Sequence, residues 1–316
     1  MSARKITLKR LPAYWYIYLL VLPSVALVAL FAYFPAISGM YHAFYRWNGD
    51  YICEYVGLRN FQEAFQDPVL WSGFMLIGIL VLFNIVKMIP SIITAVVISR
   101  LKSDKAAYIY KVLFVVPMII PGMVSLLIWK FFYDPNAGLL NMILNASGII
   151  PLLCHIDKLF HWGVFVQGIN PIWLGDANLV IPALIFWGFP WVGVVGVLIY
   201  LAGLQNIDKS VYEAADLDGI GSLKKFLFIE LPLIMSQVRI NLVMMIIGTL
   251  QDYGLILVLF TTTGGPNGKA MVPGLYMYVN AFVNQRAGYA CAIGIILFAF
   301  ILVLTEINNR LVRVDK

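Results

Sequence analysis

The chain has 316 residues, of which 61% are hydrophobic and only 12% charged. Ordinary soluble domains are roughly one quarter charged, so the polar surface that a soluble fold needs is missing and the class is membrane protein. The net charge of +6 reflects a one-sided placement of Lys and Arg and implies no nucleic-acid partner.

A helix needs roughly 20 apolar residues to cross the hydrocarbon. Six runs qualify: 14–34, 70–98, 112–132, 179–201, 240–261 and 287–304. They are too long for barrel strands and lack period-two alternation. The expected fold is therefore an all-α integral membrane protein with about six spans. The expected division is a tail 1–13, a transmembrane domain 14–310 and a tail 311–316. The first run follows Arg4, Lys5, Lys9 and Arg10. It is longer than a signal-peptide core and has no small-x-small cleavage site after it, so it reads as a retained signal-anchor helix.

Fifteen of the 22 Lys and Arg residues fall in the two tails, in the loop from Arg100 to Lys111 and in the loop from Lys209 to Arg239. By the positive-inside rule these segments are cytoplasmic, and 46–69, 133–178 and 262–286 lie outside. Cys53 and Cys154 are read as lone thiols on the outer side. Cys154, His155 and His161 have no recognised metal spacing and are read as loop residues. The outer segment 149–171 is long and apolar. It suits either an interfacial helix or a contact with a partner.

The second run holds Lys87, with Asn84 and Ser91 on the same helical face. In the fifth, Asn241, Met245, Gly248 and Asp252 form one helical stripe, with Gln251 beside it. A charge in midplane hydrocarbon costs roughly 2.5–3.5 kcal/mol, so Lys87 and Asp252 must each face protein, water or an opposite charge. Two readings stay open. Asn84, Lys87, Asn241, Gly248, Gln251 and Asp252 line a substrate pathway, or Lys87 and Asp252 sit in a buried pair that fixes helix packing.

Between the fourth and fifth runs stands YEAADLDGIGSLKKFLFIELP, residues 212–232. Ser210 and Glu213 have capping-box spacing, which predicts a helix over 211–218. Gly219 stops it. Ser222 is expected to cap a second helix over 223–231, ended near Pro232. The small Ala214 and Ala215 let another surface approach closely, and Glu213 offers a carboxylate to an arginine. On physics alone, an amphipathic connector lying on the membrane surface explains the stretch equally well.

The spacing of Glu213, Ala214, Ala215, Asp218, Gly219, Ile229, Leu231 and Pro232 resembles the signature of the permease subunits of ABC importers. YVGLRNFQEAF (55–65), AGLQNI (202–207), TTTGGPNGKAMVPGLYMYVNAF (261–282) and the following Gly288-Tyr289-Ala290 are similar to the carbohydrate class, in its maltose-type and glycerol-phosphate-type half. The resemblance implies a coupling loop, 204–239, that docks on a cytoplasmic ATPase. It implies a second permease subunit, two ATPase subunits that bind ATP and Mg, and an extracytoplasmic solute-binding protein. The chain itself would hold no cofactor and catalyse nothing. It would move a sugar or oligosaccharide, neutral or acidic, across the bacterial cytoplasmic membrane.

GGPNGK (264–269) is not a phosphate loop. Gly264 and Gly268 enclose three residues rather than four, and Ala270 follows Lys269 where Ser or Thr is needed. It reads as a tight turn. The competing class is an ion-gradient transporter, favoured by Lys87 and Asp252 and disfavoured by the absence of a visible inverted repeat. No clustered nucleophile, base or metal site supports a membrane enzyme. The orientation is testable with single cysteines: thiols placed at 209 and 224 are expected to react with an impermeant reagent only after the cells are opened. Labelling of either from outside intact cells would reverse the topology.

Overall fold

Proline and glycine decide where the apolar runs stay straight and where they break. The structure, a computed structural model, describes residues 15–160 and 163–311. The expected N-terminal tail, His161 and residues 312–316 lie outside the described residues. The chain divides into two units, one made of residues up to 66 with 277–295, the other of 67–276 with the remainder.

In the first unit, α1 (Trp15–Val28) and α2 (Phe34–His42) are joined by a wide turn over Ala29–Tyr33. The span runs on to His42 instead of stopping near 34. Pro35 does not end it, because the turn before the proline already reaches five residues back, Phe34 N–H to the Ala29 carbonyl. The helix is apolar and no residue of its apolar window is buried within this chain. A short antiparallel hairpin follows, β1 (Tyr45–Trp47) with β2 (Cys53–Tyr55), pairing Arg46 with Glu54. The Asn48 side chain accepts N–H bonds from Asp50 and Ile52, both at 3.0 Å, and so shapes the turn. In α3 (Arg59–Gln66) the buried Asn60 amide donates to the carbonyls of Ala43 (2.8 Å) and Tyr45 (2.9 Å), tying hairpin to helix.

In the second unit α4 (Pro68–Ser99) is an unbroken span capped by Asp67, whose carboxylate accepts the N–H groups of Val69 and Leu70. The third expected span, 112–132, is not one helix. α5 (Asp104–Val115) passes into a tight turn over Val116–Ile119, and α6 (Gly122–Phe132) leaves at 87°. Pro117 and Pro121 remove the N–H groups a continuous helix would need there. The helices α7 (Leu139–Ala146) and α8 (Ile149–Phe160), the second within the expected outer segment 149–171, are bent by 92°. Cys154 and His155 therefore sit on a helix, not a loop. All three cysteines are free thiols.

The fourth expected span, 179–201, is also broken. α9 (Val180–Phe186) and α10 (Val194–Gln205) flank an irregular segment that holds Gly188 at φ 81°, a cis Phe189–Pro190 bond and Trp191 at φ 61°. The helix pair α11 (Lys209–Leu217) and α12 (Ser222–Lys225) leads through α13 (Leu231–Leu233) into α14 (Met235–Gln251). The fifth expected span bends at Asp252 before α15 (Gly254–Phe260). The GGPNGK stretch makes the expected turn, with Gly264, Gly265, Asn267 and Gly268 all at positive φ. The main core packs α4 against α10 through Ile92, Ala95, Val96, Val197, Tyr200 and Leu204, and Ile234 joins it fully buried.

α16 (Pro273–Tyr278) precedes α17 (Ala287–Leu311), which is longer than the expected 287–304. Among the described residues four helices are long and apolar enough to cross a membrane, or up to seven if each bent pair is one span. Where α17 starts, Gly288 lies so close to the hairpin that a Cβ would stand 2.0 Å from the Tyr45 carbonyl oxygen. Gly288→Ala is therefore expected to destabilise the protein by about 1–3 kcal/mol, as overpacking does. The readout is a lower thermal unfolding midpoint in detergent, and an unchanged midpoint would disprove the close contact.

Candidate functional site

The loop between α10 and α14 is built from its caps. Asp208 is the N-cap of α11 and its carboxylate accepts the Ser210 N–H at 2.9 Å. That backbone N–H holds the Asp208 carboxyl below the usual carboxylate range. The helix thus begins at Lys209, ahead of the expected 211, because a carboxylate acceptor stands before Ser210, and the capping box expected of Ser210 and Glu213 gives way to it. At the other end the expectation holds. Gly219 is left-handed (φ 67°), its N–H bonds the Asp216 carbonyl at 3.1 Å, and the Ile220 N–H bonds the Ala215 carbonyl at 3.0 Å. Glu213, Ala214, Asp218 and Gly219 are exposed around Leu217, which is 90% exposed. Ala215 is buried, so only Ala214 keeps a small outward face.

The second arm departs further from expectation. Ser222 is the first residue of α12 rather than its cap, and Gly221 precedes it without a side-chain bond. A wide turn over Phe226–Glu230 then carries the helix into α13. Pro232 does not end the helix. The Leu231 N–H reaches back five residues to Phe226, so the proline falls in the first turn after a register shift. The break comes at Ile234 (φ −96°, ψ 14°). Ile229 and Leu231 are half-buried and Pro232 is exposed.

One ion pair anchors this loop. Glu230 is fully buried. Arg100, the residue that caps α4, grips it with two bonds, Nε to Oε1 at 3.2 Å and Nη2 to Oε2 at 2.7 Å. The same Nη2 donates to the Ser222 carbonyl at 3.1 Å. Lys225 bridges to Asp216 and stands 6.0 Å from the centre of the Tyr212 ring, locking the two arms together. Burial and the Glu230 charge raise the Tyr212 phenol above its ordinary range.

A cavity of about 530 Å³ lies further along α4, lined by Asn84, Lys87, Trp187, Trp191, Gly248 and Asp252. A second, of about 350 Å³, shares Asn84 and Lys87 and adds Ser91 and Asn241. One face of α4 makes the walls. Asn84 donates to Thr249 on α14 at 2.9 Å. Lys87 points its ammonium at the Trp187 carbonyl, 3.5 Å away, and lies 5.9 Å from the Trp191 ring centre. Ser91 accepts the Gly193 N–H at 2.9 Å and donates to the Trp191 carbonyl at 3.3 Å.

Of the residues expected to line the pathway, Asn84, Lys87, Asn241, Gly248 and Asp252 border these cavities, and Gln251 borders neither. Asp252 is not inside a helix as expected. It stands at the break after α14 with an extended ψ of 98°, and its carboxylate accepts the Leu255 N–H at 3.3 Å. Among the described residues Lys87 and Asp252 form no ion pair. Sequence reasoning missed Arg100, Glu230, Thr249, Trp187 and Trp191. A carboxylate set between Ile229 and Leu231 was the available signal for Glu230.

Helical spans, a polar cavity bordered by broken helices, and a helix pair tied to α4 by a buried ion pair are the parts of a transport permease. The model of the family described as binding-protein-dependent transport system inner membrane component matches residues 79–313. The chain belongs to this family and is an ABC importer permease of the inner membrane. Several relatives are similar along nearly their whole length. The diacetylchitobiose uptake system permease protein of Streptomyces coelicolor is 28% identical over 90% of this chain and 80% of that protein. The multiple sugar-binding transport system permease protein of Streptococcus mutans is 28% identical over 98% of each chain. The sn-glycerol-3-phosphate transport system permease protein of Agrobacterium fabrum is 28% identical over 94% of each. The fold is also that of a bacterial ABC transporter involved in the import of the acidic polysaccharide alginate, with a TM-score of 0.75, 21% identity, and 96% of this chain and 97% of that one covered. The ATP-driven importer is thereby favoured over the ion-gradient transporter.

Removing one partner of a buried pair leaves an uncompensated charge. Arg100→Ala is expected to destabilise the protein by about 3 kcal/mol, the low end for buried pairs because Arg100 keeps some solvent contact. Arg100→Met combined with Glu230→Leu should recover most of that loss. Thermal unfolding of the single and double variants checks both, and an Arg100→Ala protein as stable as the parent would refute the anchoring role.

Proposed function

We propose that the chain is one of two permease subunits in an importer of a sugar or oligosaccharide, neutral or acidic. The second subunit is a different permease. Two cytoplasmic ATPase subunits bind ATP and Mg and supply the drive, and an extracytoplasmic solute-binding protein delivers the substrate. Both chain termini and residues 204–239 face the cytoplasm. The names of the sugar-transporting relatives support the substrate class. A neighbouring structure described in complex with an alginate pentasaccharide-bound periplasmic protein supports the delivery step.

One observation carries the coupling proposal. The exposed Glu213 face sits on a helix pair whose second arm is held by a buried ion pair to the end of α4. The same α4 lines the polar cavity through Asn84 and Lys87. A push on α11 therefore reaches the cavity wall through rigid parts: Lys225–Asp216 between the arms, then Glu230–Arg100 into α4. In this mechanism Glu213, Ala214, Asp218 and Gly219 form the face that meets the ATPase. Ala215, Ile229, Leu231 and Pro232 shape the arms behind it. Asn84, Lys87, Asn241, Gly248 and Asp252 border the path of the sugar, whose hydroxyls exchange hydrogen bonds with them as the cavity opens to one side and then the other. Gln251 lies off that path in this conformation.

Glu213→Lys is expected to abolish transport while the protein still inserts, because a cation then meets a surface that expects a carboxylate. Uptake and co-purification of the ATPase subunits are the readouts, and full activity with normal assembly would remove α11 from the coupling role. Asp252→Ala is expected to weaken uptake without lowering yield. A loss of yield and thermal stability in step with uptake would assign Asp252 to packing instead.

A further inference from the structure

The first unit contains a cavity of about 480 Å³ that the transport reading does not use. It lies among the hairpin, α3 and the start of α17, and shares no lining residue with the cavity at Lys87. Its volume falls in the range of small-ligand sites.

Its chemistry is unusual for a membrane chain this poor in charge. Arg46, Arg59 and Arg286 all line it, against one lining carboxylate, Glu63. Arg286 is held in place, its Nη2 at 2.6 Å from both Glu63 oxygens and its guanidinium 4.4 Å from the centre of the Tyr289 ring. Arg46 pairs with Glu54 across the hairpin at 2.7 Å. Arg59 has no carboxylate partner among the described residues. The site thus carries a surplus of guanidinium, and guanidinium groups match the planar, two-oxygen geometry of a carboxylate. The amides of Asn48 and Gln285 also line it. Gln285 is held at φ 53°, a conformation that residues other than glycine seldom adopt and that gathers at binding sites. The floor is preformed, since Asn60 is buried and bonded to two backbone carbonyls.

We propose that this cavity is a binding site for a small organic oxyanion, a carboxylate carried on a hydroxylated body such as a sugar acid. Arg59 grips the carboxylate, beside the fixed cations of Arg46 and Arg286. The Asn48 and Gln285 amides and the Glu63 carboxylate meet the hydroxyls. A bare inorganic anion would leave most of the volume empty.

The test uses the full chain in phospholipid-free detergent, titrated with glucuronate and followed by tryptophan fluorescence and by thermal shift. Saturable binding of glucuronate is expected, with glucose at the same concentration binding at least about tenfold more weakly. Arg59→Ala should weaken glucuronate about tenfold, the effect of losing one charge-assisted bond. Arg59 has no ion-pair partner among the described residues, so folding should be kept, and an unchanged unfolding midpoint without ligand checks this. Arg59→Lys should recover part of the affinity. Glucuronate binding lost in Lys87→Met and kept in Arg59→Ala would place the ligand in the transport cavity and overturn the proposal. Equal binding of glucose, equal binding by the Arg59→Ala protein or no saturable binding would each overturn the proposal. So would loss of glucuronate binding in nanodiscs containing phosphatidylglycerol, which would assign the cations to a lipid phosphate.

Discussion

The contact between Arg100 and Glu230 constrains the rest of the second unit. A carboxylate with no solvent exposure carries a desolvation cost of several kcal/mol, recovered only by a well-placed counter-ion and further hydrogen bonds. Arg100 supplies both oxygens with partners and adds a bond to the Ser222 carbonyl. The end of α4 thus defines where the buried Glu230 meets its counter-ion. The wide turn over Phe226–Glu230 ends on this residue, and Ile234 enters the α4–α10 core one turn later. Polar anchor and apolar anchor fix the second arm at its C-terminal end, and the Arg100 bond to the Ser222 carbonyl holds its start. The first arm is fixed to it in turn by Lys225 and Asp216. This double attachment orders the loop where propensity alone makes helices of nine and four residues only marginal.

Broken helices follow a common physical rule. Within hydrocarbon every backbone group must be satisfied, and irregular backbone survives only against protein or a wet cavity. The segment between α9 and α10 obeys it. Its Trp187 and Trp191 carbonyls and its Gly193 N–H are met by Lys87 and Ser91 from the face of α4. Prolines at 35 and 232 were absorbed by a different device. Each follows a wide turn that shifts the bonding register before the proline arrives. Pro117 and Pro121 have no such turn before them, and the chain bends by 87°.

The sequence made the apolar content of the spans, the helix–Gly–helix loop and the polar face of Asn84, Lys87 and Ser91 legible, because each is a local pattern of period 3.6 or a cap. The left-handed Gly219 needed only the loss of Cβ at a helix end. Long-range pairing was not legible. Arg100 and Glu230 are 130 residues apart, and nothing local to either marks the other. The bends were hidden for another reason. Hydropathy measures transfer from water and is blind to a missing N–H, so 112–132 and 179–201 read as single spans although each holds prolines. Asp252 was placed on a helical stripe by counting, whereas its short side chain bonds the Leu255 N–H and competes with the helix for backbone.

For the polar residues of α4, packing helices and bordering a cavity are not alternatives. Asn84 and Ser91 pack helices and loop together, yet both border the cavities. Lys87 is the intermediate case. Its ammonium has a carbonyl and an aromatic face for company but no carboxylate, so its charge is solvated by dipoles and by the cavity itself. Its bond to the Trp187 carbonyl links α4 to the broken segment. Any shift of α4 relative to that segment changes what the ammonium faces. The residues that border the cavity from this side thus lie on the same helix that Arg100 caps.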